Sequence, residues 1–117
     1  MSSNSSIVSI IMNCYNGDKY LKDAIDSIYA QTCDDWEIIF WDNCSSDQSA
    51  SIAKSYDGRL KYFLAEKTTS LGKARNLALN KANGDYVSFL DCDDLYLPNK
   101  IKSQLAFMKS KEAVLSY

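Results

Sequence analysis

The stretch Ile7-Val8-Ser9-Ile10-Ile11-Met12-Asn13-Cys14-Tyr15-Asn16-Gly17-Asp18 decides the fold. Its first six residues are apolar apart from Ser9 and rich in β-branched side chains, which reads as a buried strand. Asn16-Gly17-Asp18 is a turn, and Asp18 is placed to cap a helix. That helix shows itself in Leu21, Ala24, Ile25 and Ile28, whose spacing puts them on one face. An apolar strand feeding an amphipathic helix is the opening of a βαβ unit.

The same alternation continues in both character and length. Trp36–Trp41 reads as a second strand. The polar loop Asp42–Asp47 follows, then a short helix to about Ser55, capped by Ser45, Ser46 or Asp47. Asp57-Gly58 turns the chain into a third strand, Leu60–Leu64. After the loop Ala65–Ser70 a helix is expected from Leu71 to about Ala82, with Ala74, Leu77, Ala78 and Leu79 inward. Asn83-Gly84 is expected to stop it through a positive φ. Asp85–Leu90 is a fourth strand and ends in Asp91-Cys92-Asp93-Asp94. Pro98 suits the start of a further helix carrying Ile101, Leu105, Phe107 and Met108. Ala113–Tyr117 reads as a fifth strand. The expected fold class is α/β, a Rossmann-like three-layer sandwich with a mostly parallel sheet.

Length and composition narrow the function. The chain has 117 residues, the size of one domain. A net charge of -2 offers no basic excess, so a nucleic-acid partner is not expected. There is no histidine, which removes Ser-His-Asp and Cys-His catalysis and imidazole zinc sites. Cys14, Cys33, Cys44 and Cys92 contain no Cys-x-x-Cys pair, against a zinc knuckle or a thioredoxin-type site. Reduced thiols in a cytoplasmic protein are the expectation. No apolar run approaches the roughly 20 residues that span a bilayer. Met1–Ser6 is short and polar and is expected to be a disordered start rather than a signal peptide.

In parallel α/β sheets ligands bind outside the carboxyl ends of the strands. That rule selects Asn13-Cys14-Tyr15-Asn16, Asp42–Asp47 and Asp91-Cys92-Asp93-Asp94. The three carboxylates of the last loop repel unless a cation sits among them, and oxygen-only donors suit Mg²⁺ or Mn²⁺. A solvated acidic turn capping the next helix is the alternative. Asp42 or Asn43 can face a ligand, and the Asn43 amide both donates and accepts toward a base edge. Asp47 also reads as a helix cap. Tyr15 can stack on a base or sugar, or pack within its loop. Arg75, behind Leu71-Gly72-Lys73, offers a fork for phosphate oxygens, while Lys73 reads as a surface cation. Neither G-x-G-x-x-G nor G-x-x-x-x-G-K-[ST] occurs, against a nicotinamide Rossmann enzyme and a P-loop NTPase. A receiver-type domain would need acidic residues where Asn13-Cys14-Tyr15-Asn16 stands. A nucleotidyltransferase would need a Gly-rich signature and a basic residue near the first strand.

Together these pieces resemble the N-terminal, nucleotide-sugar-binding half of family 2 glycosyltransferases of the GT-A fold. The resemblance runs from Ile7 to Tyr117. It rests on the opening strand to Tyr15-Asn16, on Ser27-Ile28-Tyr29-Ala30-Gln31-Thr32, and on Trp36-Glu37-Ile38-Ile39 leading to the Asp42 loop. It continues in Gly72-Lys73-Ala74-Arg75-Asn76, Ala82-Asn83-Gly84-Asp85-Tyr86 and the Asp-x-Asp motif Asp91-Cys92-Asp93. The resemblance implies that Asn13, Tyr15, Asp42, Asn43, Arg75, Asp91 and Cys92 line the donor site, and that Asp93 with Asp91 holds Mn²⁺ or Mg²⁺. It implies a UDP-sugar, or a dTDP- or GDP-sugar, as donor, a glycan or lipid-linked acceptor, and an inverting transfer. Two departures stand out. Asn43 replaces the family's second Asp, and Cys44 its usual Gly.

The family's general base and acceptor site lie beyond the Asp-x-Asp motif. The chain is therefore expected to be a truncated donor-binding half, forming a single domain over 1–117, with little transfer activity alone. Self-association through surface exposed near Ala113–Tyr117, and peripheral membrane attachment of the complete protein, are further expectations. Cys14, Cys44 and Cys92 follow strands, so nucleotide and metal are expected to slow their alkylation but not that of Cys33. A non-catalytic nucleotide- or sugar-binding module is the alternative reading.

Overall fold

The protein is described by a computed structural model over residues 7–92, Ile101 and Leu115–Ser116. The elements in order are β1 (Val8–Cys14), α1 (Asp18–Tyr29), β2 (Trp36–Asp42), α2 (Ser49–Ala53), β3 (Leu60–Leu64), α3 (Leu71–Leu79), β4 (Tyr86–Phe89) and β5 (Leu115–Ser116). They form one sheet of order β3-β2-β1-β4-β5, with every neighbouring pair parallel. The chain steps outward from β1 to β2 and β3, then crosses back over β1 to begin β4. Crossovers of this kind are right-handed, so the reversal places α3 on the face opposite α1 and α2.

The core confirms the three layers. Val8, Ile10 and Met12 of β1, with Ile38 and Phe40 of β2, pack against Leu21, Ala24, Ile25 and Ile28 of α1 and Ala53 of α2. Ile11, Ile39 and Trp41 point the other way, onto Ala74 and Ala78 of α3. Successive residues of a strand face opposite sides, and β1 is covered on both, so its sequence is apolar rather than alternating. The parallel α/β sandwich expected from the sequence is the observed fold.

Several boundaries differ from expectation. α2 stops at Ala53 rather than about Ser55, and α3 at Leu79 rather than about Ala82. Leu79 is exposed, because Ala74 and Ala78 set the inward stripe and the residue after Ala78 lies about 100° round the helix. Gly84 does not stop α3 by a positive φ, since none of the described glycines has one. Its role is close approach: a Cβ there would collide with the Ile7 carbonyl and with Ser9. Asp85 lies outside β4 and accepts from the Ile7 N–H at 3.1 Å. Asp93, Asp94, Leu105, Phe107 and Met108 fall outside the described residues, as do residues 1–6. Ile101 is described, helical and fully buried, and its N–H donates to Gln31 Oε1 at 3.0 Å.

The amino end of the sheet is tied together by one buried acid. Glu37 is only 7% exposed. It accepts from Ser9 Oγ at 2.5 Å, Lys61 Nζ at 2.6 Å and the Asn83 N–H at 2.7 Å. Ser9 Oγ in turn accepts from the Gly84 N–H at 2.8 Å. This explains the polar Ser9 inside an apolar strand. Burial pushes the Glu37 pKa up, but Lys61, Ser9 and the Asn83 N–H outweigh it and hold it below its ordinary value. A lowered folded-state pKa adds stability above the unfolded value, and that stability is lost as pH falls through the folded one. Glu37→Ala is expected to cost about 3 kcal/mol in denaturant unfolding, because it strands buried donors. Glu37→Gln is expected to flatten the loss of stability that the unaltered protein shows below its ordinary pKa of 4.5.

Candidate functional site

The chain reverses direction in the sheet between β1 and β4, and the carboxyl ends there form the usual ligand crevice of such folds. A cleft of about 190 Å³ opens at this edge. Its walls are Asn13, Cys14 and Tyr15 after β1, Asn43 after β2, Thr68 and Thr69 after β3, and Leu71 and Ala74 of α3. Thr68 and Thr69 were not among the candidate residues. The carboxyl-end rule points to the loop after β3 as much as to its neighbours, but its one Glu66-Lys67 pair of opposite charge lacks the acidic clustering of the loops after β2 and β4.

Asn13 is the unusual member. Its Nδ2 is buried and has no hydrogen-bond partner among the described residues. Leaving a buried donor unsatisfied costs about 1–3 kcal/mol. Tyr15 stands at the rim, 56% exposed. Arg75 and Asp91 meet across the end of β4, with Nη2 to Oδ1 at 3.9 Å, and the guanidinium lies 5.7 Å from the Phe89 ring centre. Both side chains remain accessible to solvent.

Asp42 does not line the cleft, and Asn43 lines it with an amide already engaged by the protein itself. Asp42 is 1% exposed. One oxygen accepts from the Ser45 N–H at 2.8 Å and the other from the Tyr62 hydroxyl at 2.5 Å. Its carboxylate braces the loop from within and pushes the Tyr62 pKa up, after burial. The Asn43 amide clasps the backbone of Thr69, donating to its carbonyl at 2.8 Å and accepting from its N–H at 3.1 Å. A carboxylate could make only the second bond. Asn43 therefore joins the loop after β3 to β2 and shapes the cleft through Thr68 and Thr69.

The two loops flanking the cleft are also locked to each other. The Asp18 N–H donates to Asp47 Oδ2 at 3.1 Å, and the Gln48 N–H donates to Asp18 Oδ2 at 3.0 Å. Asp47 Oδ1 accepts from the Ser49 N–H at 2.9 Å. Asp47 thus holds the first N–H of α2 from one position before the cap, which is Gln48 rather than the expected Ser45, Ser46 or Asp47. Asp18 caps the start of α2 rather than its own helix, where Gly17 holds the cap position. Asn16 adopts φ 50° and receives the Ser46 N–H on Oδ1 at 2.7 Å.

The thiols are sorted by the same geometry. Cys14 lines the cleft but is only 2% exposed. A hydrogen bond with Cys92 lowers its pKa to about 7, against the opposing effect of burial, with help from Ser49 and Gly17. Cys44 turns its sulfur to the Ala65 carbonyl at 3.3 Å. Cys33 lies between α1 and β2, at the far edge of the sheet, near Asp35 and Trp36.

Residues 9–117 match the model of the family described as Glycosyl transferase family 2. The chain belongs to that family. It is 34% identical over 112 residues to WfgD of Escherichia coli, a UDP-Glc:alpha-D-GlcNAc-diphosphoundecaprenol beta-1,3-glucosyltransferase, covering 95% of this chain and 44% of WfgD. Among solved structures, S. aureus TarS 1-349 in complex with UDP-GlcNAc superposes with a TM-score of 0.85 at 32% identity, covering 91% of this chain and 32% of that one. The mannosyltransferase PcManGT from Pyrobaculum calidifontis, in complex with GDP-Man and Mn²⁺, gives a TM-score of 0.72 at 25% identity, covering 80% and 29%. The chain spans less than half the length of the curated relatives it matches. These likenesses support the GT-A fold expected from the sequence.

Cys44 adopts a φ of 69°, the left-handed region that favours glycine. A left-handed backbone costs a residue with a Cβ about 1–2 kcal/mol. Cys44→Gly and Cys44→Ala both lose the sulfur contact, but only glycine relieves the backbone. The glycine variant is expected to be the more stable of the two by about 1 kcal/mol in denaturant unfolding.

Proposed function

We propose that this chain is the donor-binding part of a glycosyltransferase that moves a sugar from a nucleoside-diphosphate sugar to an acceptor hydroxyl, with inversion at the anomeric carbon. The observation that carries this reading is the buried, unsatisfied Asn13 amide on the wall of the cleft. A uracil or thymine carbonyl is an acceptor of the right kind, and its arrival recovers the cost of the orphaned donor. The UDP-GlcNAc complex of TarS favours a UDP-sugar over a dTDP- or GDP-sugar.

In this reading Tyr15 stacks on the base from the rim. The Arg75 fork takes diphosphate oxygens, and its contact with Asp91 keeps it at the end of β4. Asp91 approaches the ribose or the sugar, with Cys92 beside it. A Mn²⁺ or Mg²⁺ site is tested by its donors. Asp91 offers a solvent-accessible carboxylate, and the described residues contain no group of three or more His, Cys, Asp or Glu that could hold a metal. One or two carboxylates completed by substrate phosphates is how Mg²⁺ is commonly bound, so Asp91 fits as one ligand and Asp93 is proposed as the other. Held by Asp91 and Asp93, a divalent ion would supply neutralising charge for a departing diphosphate.

The general base is proposed to lie in sequence beyond Tyr117, so the chain alone would bind donor and transfer little sugar. A glycan or lipid-linked acceptor, self-association, and a cytoplasmic location with peripheral membrane attachment belong to the same proposal. Sugar transfer to an added acceptor by this chain alone would overturn the missing-base reading.

Calorimetric titration with UDP, dTDP, GDP and ADP, with and without Mn²⁺, is the direct test. UDP with Mn²⁺ is expected to bind most tightly. Asp91→Ala or Asp93→Ala should weaken that binding about tenfold or more, or about 1.4 kcal/mol. Asn13→Ala should raise the Kd for UDP about tenfold while leaving the unfolding midpoint unchanged or higher, because it deletes an unsatisfied donor. Unchanged UDP affinity in Asn13→Ala would remove the central support for this reading.

A further inference from the structure

Gly17 lies directly over two sulfur atoms. A Cβ at that position would collide with Cys92 Sγ and press on Cys14 Sγ, 3.2 Å away. Both sulfurs therefore lie within 3.2 Å of one point. Their meeting follows from the parallel register of the central strands. Val8 lies opposite Tyr86 and Ile11 opposite Phe89, and the Leu90 N–H extends the ladder to the Ile11 carbonyl at 3.1 Å. The pairing ends there; Cys14 closes β1 three residues past Ile11, and Cys92 sits in the turn three residues past Phe89. Adjacent strands lie about 4.8 Å apart. Disulfide-bridged Cα atoms usually lie about 4.4–6.8 Å apart, a range that suits the ends of adjacent strands whose sulfurs already converge over Gly17.

We propose that Cys14 and Cys92 form a dithiol modification site, which a low-molecular-weight disulfide such as oxidised glutathione converts to a Cys14–Cys92 bond. Cys92 is the more exposed sulfur and is the point of entry. Its thiolate attacks one sulfur of the reagent, forms a mixed disulfide and releases one glutathione thiol. The Cys14 thiolate then attacks the Cys92 sulfur and releases the second. Two protein S–H bonds become one S–S bond. The two protons and two electrons leave with the two reduced glutathione molecules. The new bond ties the carboxyl end of β1 to the turn that begins Asp91-Cys92-Asp93. Cys33 and Cys44 do not take part, since their sulfurs lie against Asp35 and Ala65 respectively.

The test is exposure of the protein to excess oxidised glutathione, alkylation of the remaining thiols, and peptide mapping without reduction. Two of the four cysteines should become unavailable to the alkylating reagent, joined in one Cys14–Cys92 cross-linked peptide, and dithiothreitol should restore both. Cys14→Ser should stop at a glutathione adduct on Cys92. A stable adduct on Cys92 in the unaltered protein, a cross-link that includes Cys33 or Cys44, or no loss of thiols would each overturn the proposal. None of these readouts depends on nucleotide binding.

Discussion

The parallel pairing of β1 with β4 is the constraint on which the rest depends. It joins the first strand of the chain to one that begins at Tyr86, and it can form only if the returning backbone reaches the start of β1 closely. Gly84 permits that approach, and the bonds from Asn83, Gly84 and Ile7 to Glu37, Ser9 and Asp85 fasten it. At the opposite end the same pairing sets the end of β4 beside β1, with Asp91 within reach of Arg75 of α3. Several stretches shared with family 2 glycosyltransferases therefore serve the amino end of the sheet. Trp36-Glu37 and Asn83-Gly84-Asp85 hold the frame and do not touch the cleft.

How far the sequence was legible follows the range of the interactions. The α1 stripe of Leu21, Ala24, Ile25 and Ile28 and the strand Leu60–Leu64 were readable because local periodicity carries them. The inward face of α3 was readable at Ala74 and Ala78, but its limit was not. Whether Leu79 is covered depends on how α3 sits over β1 and β2, not on its neighbours in sequence. The direction of the Asp42 and Asn43 side chains was likewise hidden. Their partners, Tyr62 and Thr69, are supplied by β3 and the loop after it. Composition marks both residues as polar and well placed, and says nothing about which way they turn. The carboxyl-end rule points to the edge where the cleft lies, while the orphaned Asn13 donor and the place of Thr68 and Thr69 on its wall emerge only from packing.

Asn43 shows how a one-atom change can alter the architecture of such a site. An amide both gives and takes a hydrogen bond, so it can grip both polar groups of one backbone residue, which a carboxylate cannot. The loop after β3 is thereby held as though by an added rung of the sheet. The side chain at position 43 thus shapes the cleft wall made by Thr68, Thr69 and Asn13.

The crossed capping of Asp18 and Asp47 has a consequence for motion. Each acid holds an amide on the other side, so the start of α1 cannot loosen without also freeing the start of α2. The loops after β1 and β2 then behave as a single opening unit rather than two independent ones. The backbone amides of Asp18 and Gln48, thirty positions apart, should share one free energy of exposure and exchange their hydrogens in step.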